Sequence, residues 1–387
     1  MFTPRFCPHR DCSYHRKEEK RPDWYRPWGS YQTRTFGRVL RFRCRSCGRT
    51  FSVQTFSLDY YAKKKVDYSR VFDQIITAGG VRDIARQEGI STGVVKNRTA
   101  RLAHQAMAVL QSLLNELTLE EDLCADGFES FTVSQYFPNN INILVGKESQ
   151  MVYHANYVTI RRKGRMTEEQ KKRRKVLEKI WRAPRRGIQS GFEQLMLCIE
   201  DLLPSSGMNR IRLYTDEKKE YPRAVSAVEQ QLSRPGKPGY SRPLRHIQIS
   251  SRKARTLSNH LFPVNYLDRQ IRKDGANHTR ETVQFARNVS DCMNRLMIYF
   301  LHHNCLKPYR IKLQRQDPRT HAEVAGVRLE IIRRELETLY SERRFLSHLV
   351  ETAEYRNSLN SCIQIWMRQL KTPLKGRKEY CPAYYAS

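Results

Sequence analysis

The chain lacks any apolar run approaching the roughly 18 residues that a bilayer-spanning helix needs. Its opening residues, MFTPRFCPHR, lack the apolar core of a secretory signal. A cytosolic setting is therefore expected, with the ten cysteines reduced and not disulfide-paired. Negative charge is scarce. Against 70 Lys and Arg stand 39 Asp and Glu, a formal net charge of +31 and a pI near 10.0. A balance this basic repels the folded chain from itself and calls for a polyanionic partner; without a membrane segment, nucleic acid is the expected one. Internal repeats and long low-complexity tracts are also missing, which excludes solenoid arrays and leaves domains in series. At 387 residues there is material for two or three of them.

What is present falls into four segments. Residues 1–60 are rich in Cys, Arg and aromatics, and "RVLRFRCRSCGRTFSVQT" reads as strand, tight turn, strand. Residues 61–120 switch to helical periodicity: a short helix near Tyr68–Thr77, a pair broken at Gly89-Ile90-Ser91, and a helical linker over about 104–119. From 121 to 305 the period first becomes two. "LCADGFESFTV", "NINILVGKE" and "MVYHANYVTI" read as three strands with turns at Pro138-Asn139-Asn140 and Lys147–Gln150. A basic insertion (161–187) follows. Then come a helix near 191–203, the strand "RIRLYTDEKK", a helix from Tyr221 to Leu232, a Pro/Gly-rich loop and the strand "RHIQIS". Helices over about 264–303 are broken near Gly275. Residues 306–387 read as a helical segment with a basic, Tyr-rich tail.

In the first segment Cys7-x4-Cys12 and Cys44-x2-Cys47 have the spacing of two metal-binding turns. Four thiolates would close a tetrahedral zinc site, leaving no open position for water, so the metal is expected to be structural. His9 or His15 is an alternative ligand in the longer first loop. The other cysteines, Cys124, Cys198, Cys292, Cys305, Cys362 and Cys381, lack such spacing. Trp24, Tyr25, Trp28, Tyr31, Arg41, Arg43 and Arg45 around the site either meet a DNA backbone or pack the small module on its neighbour.

"VRDIARQEGISTGVVKNRTARLAHQ" has the pattern of a helix-turn-helix. Val81, Ile84 and Ala85 line one helix, Gly89 permits the turn, Ser91 or Thr92 caps the second helix, and Val94, Val95 and Leu102 face inward. Thr92, Lys96, Asn97, Arg98 and Arg101 are then expected to point outward, where a recognition helix meets base edges and phosphates.

In so basic a chain the informative residues are isolated acids on apolar strands. Asp126 sits within "LCADGFESF" and Asp216 ends "IRLYTD". A buried carboxylate is costly unless paired or bound to metal. Two such acids on one sheet, with a third from a helix, make an oxygen cage for two Mg²⁺ or Mn²⁺ ions of the kind that cut phosphodiesters. Glu129, three residues on, falls on the opposite strand face.

"RFRCRSCGRTFS", the helix-turn-helix, "ADGFESF", "YTDEKKEY" and "NYLDRQIRKDGANHTRETVQFARN" occur in this order over about residues 1–310. The set resembles DDE-class bacterial insertion-sequence transposases of the zinc-ribbon type, close to insertion sequence one. The resemblance implies a multidomain α+β chain: a zinc ribbon, a helix-turn-helix domain, an RNase H-like catalytic domain whose mixed sheet is flanked by helices, and a helical C-terminal segment. It also implies metal-dependent cleavage and strand transfer at terminal inverted repeats, on double-stranded DNA near the bacterial nucleoid, by a homodimer or larger assembly that brings two ends together. The family's third acid is a Glu followed by Asn after two residues, with a basic residue seven after the Glu. Here Asn265, Asp268 and Arg272 fill those places, so acid and amide have changed turns. Positions i and i+3 share a helix face, leaving Asp268 or Asn265 to complete the cage, with Glu281 as the competing acid.

The insertion "RRKGRMTEEQKKRRKVLEKIWRAPRR" holds thirteen Lys/Arg against three Glu. Thr167 and Gln170 form a capping box ahead of a helix through Trp181, and Lys171, Lys172, Arg173 and Arg174 on it are expected to clamp a DNA backbone. The expected function is a DNA transposase. The alternatives are an inactive transposase-derived DNA-binding regulator and a structure-specific nuclease of the same fold.

Overall fold

A computed structural model describes residues 3–16, 22–203, 206, 208–232, 244–279, 282–313, 315–352 and 372–374. The Pro/Gly-rich loop at 233–243, Glu281, most of the helical segment expected after 352 and the basic tail lie outside them. After the one-turn helix α1 (Ser13–Arg16), β1 (Tyr25–Thr33), β2 (Gly37–Cys44) and β3 (Thr50–Ser52) form an antiparallel sheet in that order. Trp24, Phe42 and Phe51 fill its inner side; Trp24 stacks on Phe51 with ring centroids 5.5 Å apart.

Three helices follow: α2 (Tyr68–Ile76), α3 (Val81–Gln87) and α4 (Thr92–Asn115). Asp67 accepts the Ser69 and Arg70 amides to cap α2, and Ser91 Oγ accepts the Val94 amide at 3.3 Å to cap α4. Gly89 takes φ +62° in the turn between α3 and α4, where a side chain would be strained. The separate linker helix expected near 104–119 is corrected to the continuation of α4. No Gly or Pro interrupts residues 94–115, and the helix runs on for 24 residues. Its second half, AHQAMAVLQSLLN, is apolar on nearly every side and buried on nearly every side, the pattern of a helix inside a core.

The large sheet has the order β6-β5-β4-β7-β8. β4 (Leu123–Phe131), β5 (Pro138–Gly146) and β6 (Val152–Thr159) run as an antiparallel meander. β7 (Ile211–Thr215) and β8 (Leu244–Gln248) add parallel to β4 on its other side. The turn expected at Pro138–Asn140 is corrected: Pro138 already pairs with Phe131, and the chain reverses over 132–137. Proline is tolerated there because the first residue of a strand need not donate to the ladder.

α5 (Glu168–Ile180) follows β6, with the expected Thr167–Gln170 capping box. α6 (Gly187–Leu202) and α7 (Glu220–Leu232) cover one face of the sheet, α6 packing Gly191 on Val158, Asn142 and Asn156. α8 (Phe262–Asp274) and α9 (Val289–Cys305) cover the other. Short helices α10 (His321–Val324), α11 (Leu329–Glu337) and α12 (Leu346–Thr352) complete the described chain. Among the described residues no helix is long and apolar enough to cross a membrane.

Residues 339–348 tie the parts together. Gln105 on α4 donates to the Leu339 and Glu342 carbonyls and accepts the Arg344 amide at 2.8 Å. Leu58 N–H donates to Ser341 O and Arg343 N–H to Phe56 O, at 2.8 and 2.7 Å. Phe6 stacks on His348 at 3.8 Å, and His15 Nε2 lies 2.9 Å from Ser347 Oγ. Gln105→Leu strands three backbone groups at once. It should lower stability by about 1–3 kcal/mol, read as an earlier midpoint in urea unfolding with an unchanged slope.

Candidate functional site

Two centres emerge. In the first, the Sγ atoms of Cys7, Cys12, Cys44 and Cys47 all lie within 4.8 Å of one another. Cys7–Cys47 are 3.8 Å apart and Cys12–Cys44 3.6 Å. Sulfurs bound at about 2.3 Å to one tetrahedral zinc stand about 3.8 Å apart, whereas a disulfide would close to about 2.05 Å. The four cysteines therefore fit one metal ion, consistent with structural zinc. Gly48, at φ +69°, closes the second turn with its amide on Cys44 O at 3.1 Å. Neither histidine joins the set. His15 Nδ1 lies 2.7 Å from Cys7 O, with its other nitrogen on Ser347, and His9 Nε2 lies 3.4 Å from Thr50 O. Burial pushes the Cys7 thiol well up, so a thiolate there depends on a nearby cation.

The second centre lies where β7 ends beside the first half of β4. These strands pair in parallel at Leu123↔Leu213 and Cys124↔Tyr214. Two residues further along both strands come Asp126 and Asp216, on neighbours that in any sheet lie about 4.8 Å apart. β5 flanks β4 antiparallel on one side, pairing Ile143 with Asp126, while β7 flanks it in parallel on the other and ends at Thr215. Asp126 shares strand parity with Phe128, whose ring meets His278 and lies 4.5 Å beneath the Arg272 guanidinium, so Asp126 faces α8. That helix contributes Asp268.

Electrostatics join the three acids. Burial, followed by the charge of Asp216, pushes Asp126 up to about 6. Burial, followed by the charge of Asp126, pushes Asp268 up to about 8. Asp126 accepts the Gly127 amide at 2.6 Å and Asp216 the Lys218 amide at 3.0 Å. Asp268 Oδ1 is buried and has no hydrogen-bond partner. A buried, unpartnered carboxylate oxygen in the field of a second carboxylate is a hard oxygen donor left without a neutralising partner. The acids do not draw together as tightly as the thiolates; among the described residues only the cysteines form a group of three or more within 4.8 Å.

No family model and no curated protein matches this chain. The residues themselves therefore carry the functional reading.

Of the alternatives for the third position, Asp268 shares the field of Asp126. Asn265 is buried, and its Nδ2 donates to Leu261 O of its own helix at 2.9 Å. Glu281 lies outside the described residues. Arg272 Nη2 donates to Glu129 O at 2.9 Å, bracing α8 on β4. Glu129 itself falls on the other strand face, as expected, with Lys218 Nζ 3.6 Å from its carboxylate.

The outward placement expected for Arg98 and Arg101 is corrected: each is only 3% exposed. Arg101 donates to Leu58 O and lies 4.0 Å over the Tyr60 ring; Arg98 donates to Lys64 O and lies over Tyr68. The segment before α2 crosses this side of α4, and its carbonyls recruit the guanidiniums. Asn97 Oδ1 accepts from both arginines, and Lys96 pairs with Asp291 at 3.2 Å, which leaves Thr92 and part of Lys96 at the surface. On α5 only Leu177 is buried. Lys172 and Arg173 are exposed, Lys171 pairs with Glu168, and Arg174 turns back to Arg162 O and Glu178. Lys218 and Arg255, whose charges favour ionised Asp126 and Asp268, were not singled out from the sequence. They sit in polar stretches where a lysine or arginine carries no pattern.

Purified chain should carry one zinc, and Cys44→Ser should lose it together with the cooperative unfolding of residues 1–60, seen by metal analysis and calorimetry. Asp268 keeps its proton in the folded, metal-free chain up to about pH 8, whereas an unfolded aspartate releases it near 3.9. Its burial thus costs nothing below about pH 4, costs progressively more as pH rises, and reaches its full cost above about pH 8. Asp268→Asn should accordingly melt above the parent chain at about pH 8.5, with the gap closing toward about pH 4.

Proposed function

We propose that the chain is a DDE-class DNA transposase with an RNase H-like catalytic domain, acting on double-stranded DNA in the cytoplasm of a bacterial cell. The observation that carries this reading is the orphaned, buried Asp268 oxygen in the field of Asp126, itself in the field of Asp216, in a chain of net charge +31. A basic protein has no reason of stability to place carboxylates on an apolar strand, at the tip of the next and on the helix that covers them. The mixed sheet flanked by helices agrees with the fold that the sequence resemblance implies.

Bound between these acids, two Mg²⁺ ions would activate a water or 3′-hydroxyl and stabilise the leaving oxygen. The chain supplies the rest. Asp126 would present its oxygens from within β4, Asp216 from just past the end of β7, and Asp268 from α8. The Arg272 link to Glu129 O holds that helix against β4. Lys172, Arg173 and their neighbours on α5 offer a solvated basic face to the DNA backbone, and Thr92 and Lys96 offer the start of α4. The zinc module serves as structure and as a second basic surface. Joining two DNA ends requires at least a pair of such chains.

The burial of Arg98 and Arg101 in the fold, with the spread of the carboxylates, favours one rival: an inactive regulator that retains DNA binding. The same experiment separates the two. With Mg²⁺ and duplexes carrying the ends of the element that encodes it, the chain should nick and join strands. Asp126→Asn or Asp216→Asn should slow this by about 10³-fold or more with DNA affinity kept. Binding without cleavage by the parent chain would establish the regulator. Cleavage of branched DNA irrespective of end sequence would establish a nuclease.

A further inference from the structure

The acid centre faces an ammonium to which cleavage as described above gives no task. Lys218 follows Asp216 by two residues, and its amide is fixed on Asp216 Oδ1 at 3.0 Å. Its Nζ lies 5.8 Å from the centre of the Tyr221 ring, which is fully buried and stacked on Phe192 at 4.2 Å. Its root is thus fixed beside Asp216, and the head group swings on an arc about it. On that arc Nζ stands 3.6 Å from Glu129, and its charge is felt by Asp126 and Asp268.

We propose that Lys218 grips the scissile phosphate, and that Glu129 holds its ammonium at the rim until DNA takes it over. The inference rests on the transposase reading and assigns that site its phosphate contact.

The other cations near the acids are less suited. Arg272 is committed by its bond to the Glu129 carbonyl and its seat on the Phe128 ring. Arg255 lies on the exposed stretch between β8 and α8. Lys218 combines a fixed root with a mobile head. Its partner Glu129 is 57% exposed at the side chain, and an ion pair so wet contributes little and exchanges readily. A lysine ammonium is a compact charge with three donors, well matched to a phosphate oxygen that shifts during in-line displacement. Before DNA arrives the same charge offsets the mutual repulsion of the carboxylates, which places it in electrostatic competition with divalent ions.

These two roles give opposite signs in one variant. Mn²⁺ binding to the full chain without DNA is measured by calorimetry, and single-turnover cleavage of an end-bearing duplex is measured in parallel. Lys218→Met should bind Mn²⁺ roughly three- to tenfold more tightly, yet cleave about 10²-fold more slowly. Lys218→Arg should bind Mn²⁺ like the parent chain and recover most of the rate. Equal Mn²⁺ affinity in Lys218→Met and the parent, or an unchanged cleavage rate, would reduce the Lys218–Glu129 pair to a surface ion pair and overturn the proposal. If the parent chain shows no Mn²⁺ binding that Asp126→Asn removes, the transposase reading itself fails, and the phosphate role with it.

Discussion

A carboxylate held in apolar surroundings is among the costliest things a fold can keep, and the five-stranded sheet is arranged about that cost. Asp126 lies within β4, paired with Ile143 of β5 on one side and two residues past the last β4–β7 pair on the other, so the strand backbone fixes its place. Asp216 comes level with it because β4 and β7 run parallel in that register. α8 then sets Asp268 over the same point, braced by Arg272. Each acid raises the cost of ionising another, and the protein answers with cations at the rim instead of neutralising partners inside. That is a poor solution for a scaffold and a suitable one for the proposed metal site.

Much of this was legible in the residues. Asp126 and Asp216 stood out because each interrupted an apolar strand in a chain short of acid. The cysteine turns were legible because ligand spacing reflects a bond length. The Thr167–Gln170 box was legible because capping is decided within four residues. The third position was only half legible. Sequence placed Asn265 and Asp268 on one helix face, but could not show that Asn265 turns its amide back to Leu261 while Asp268 keeps an oxygen unpaired.

The helix-turn-helix marks the limit of that kind of reading. Helical periodicity says which residues share a face, not how many faces will be covered. α4 is packed by α3 on one side and by α9, α11 and α12 elsewhere, and the segment before α2 crosses what remained. Arg98 and Arg101 therefore became internal ties. Exposed basic surface lies instead on α5 and on the outer side of the β1–β2 hairpin, where the Arg26 and Arg43 guanidiniums lie over the ring of Trp28. Lys218 was illegible for a different reason: among several charged neighbours, nothing local distinguishes a residue that faces acids from one that faces water.

The strip at 339–348 has a consequence for how the protein is made. The four cysteines that fit a metal ion all lie within residues 7–47, so the zinc module's ligands are complete early in synthesis. Its seat, however, is built from Ser341, Arg343, Ser347 and His348, which are synthesised nearly three hundred residues later. Through most of translation the module thus lacks its seat, and the part made first is held by one of the parts made late.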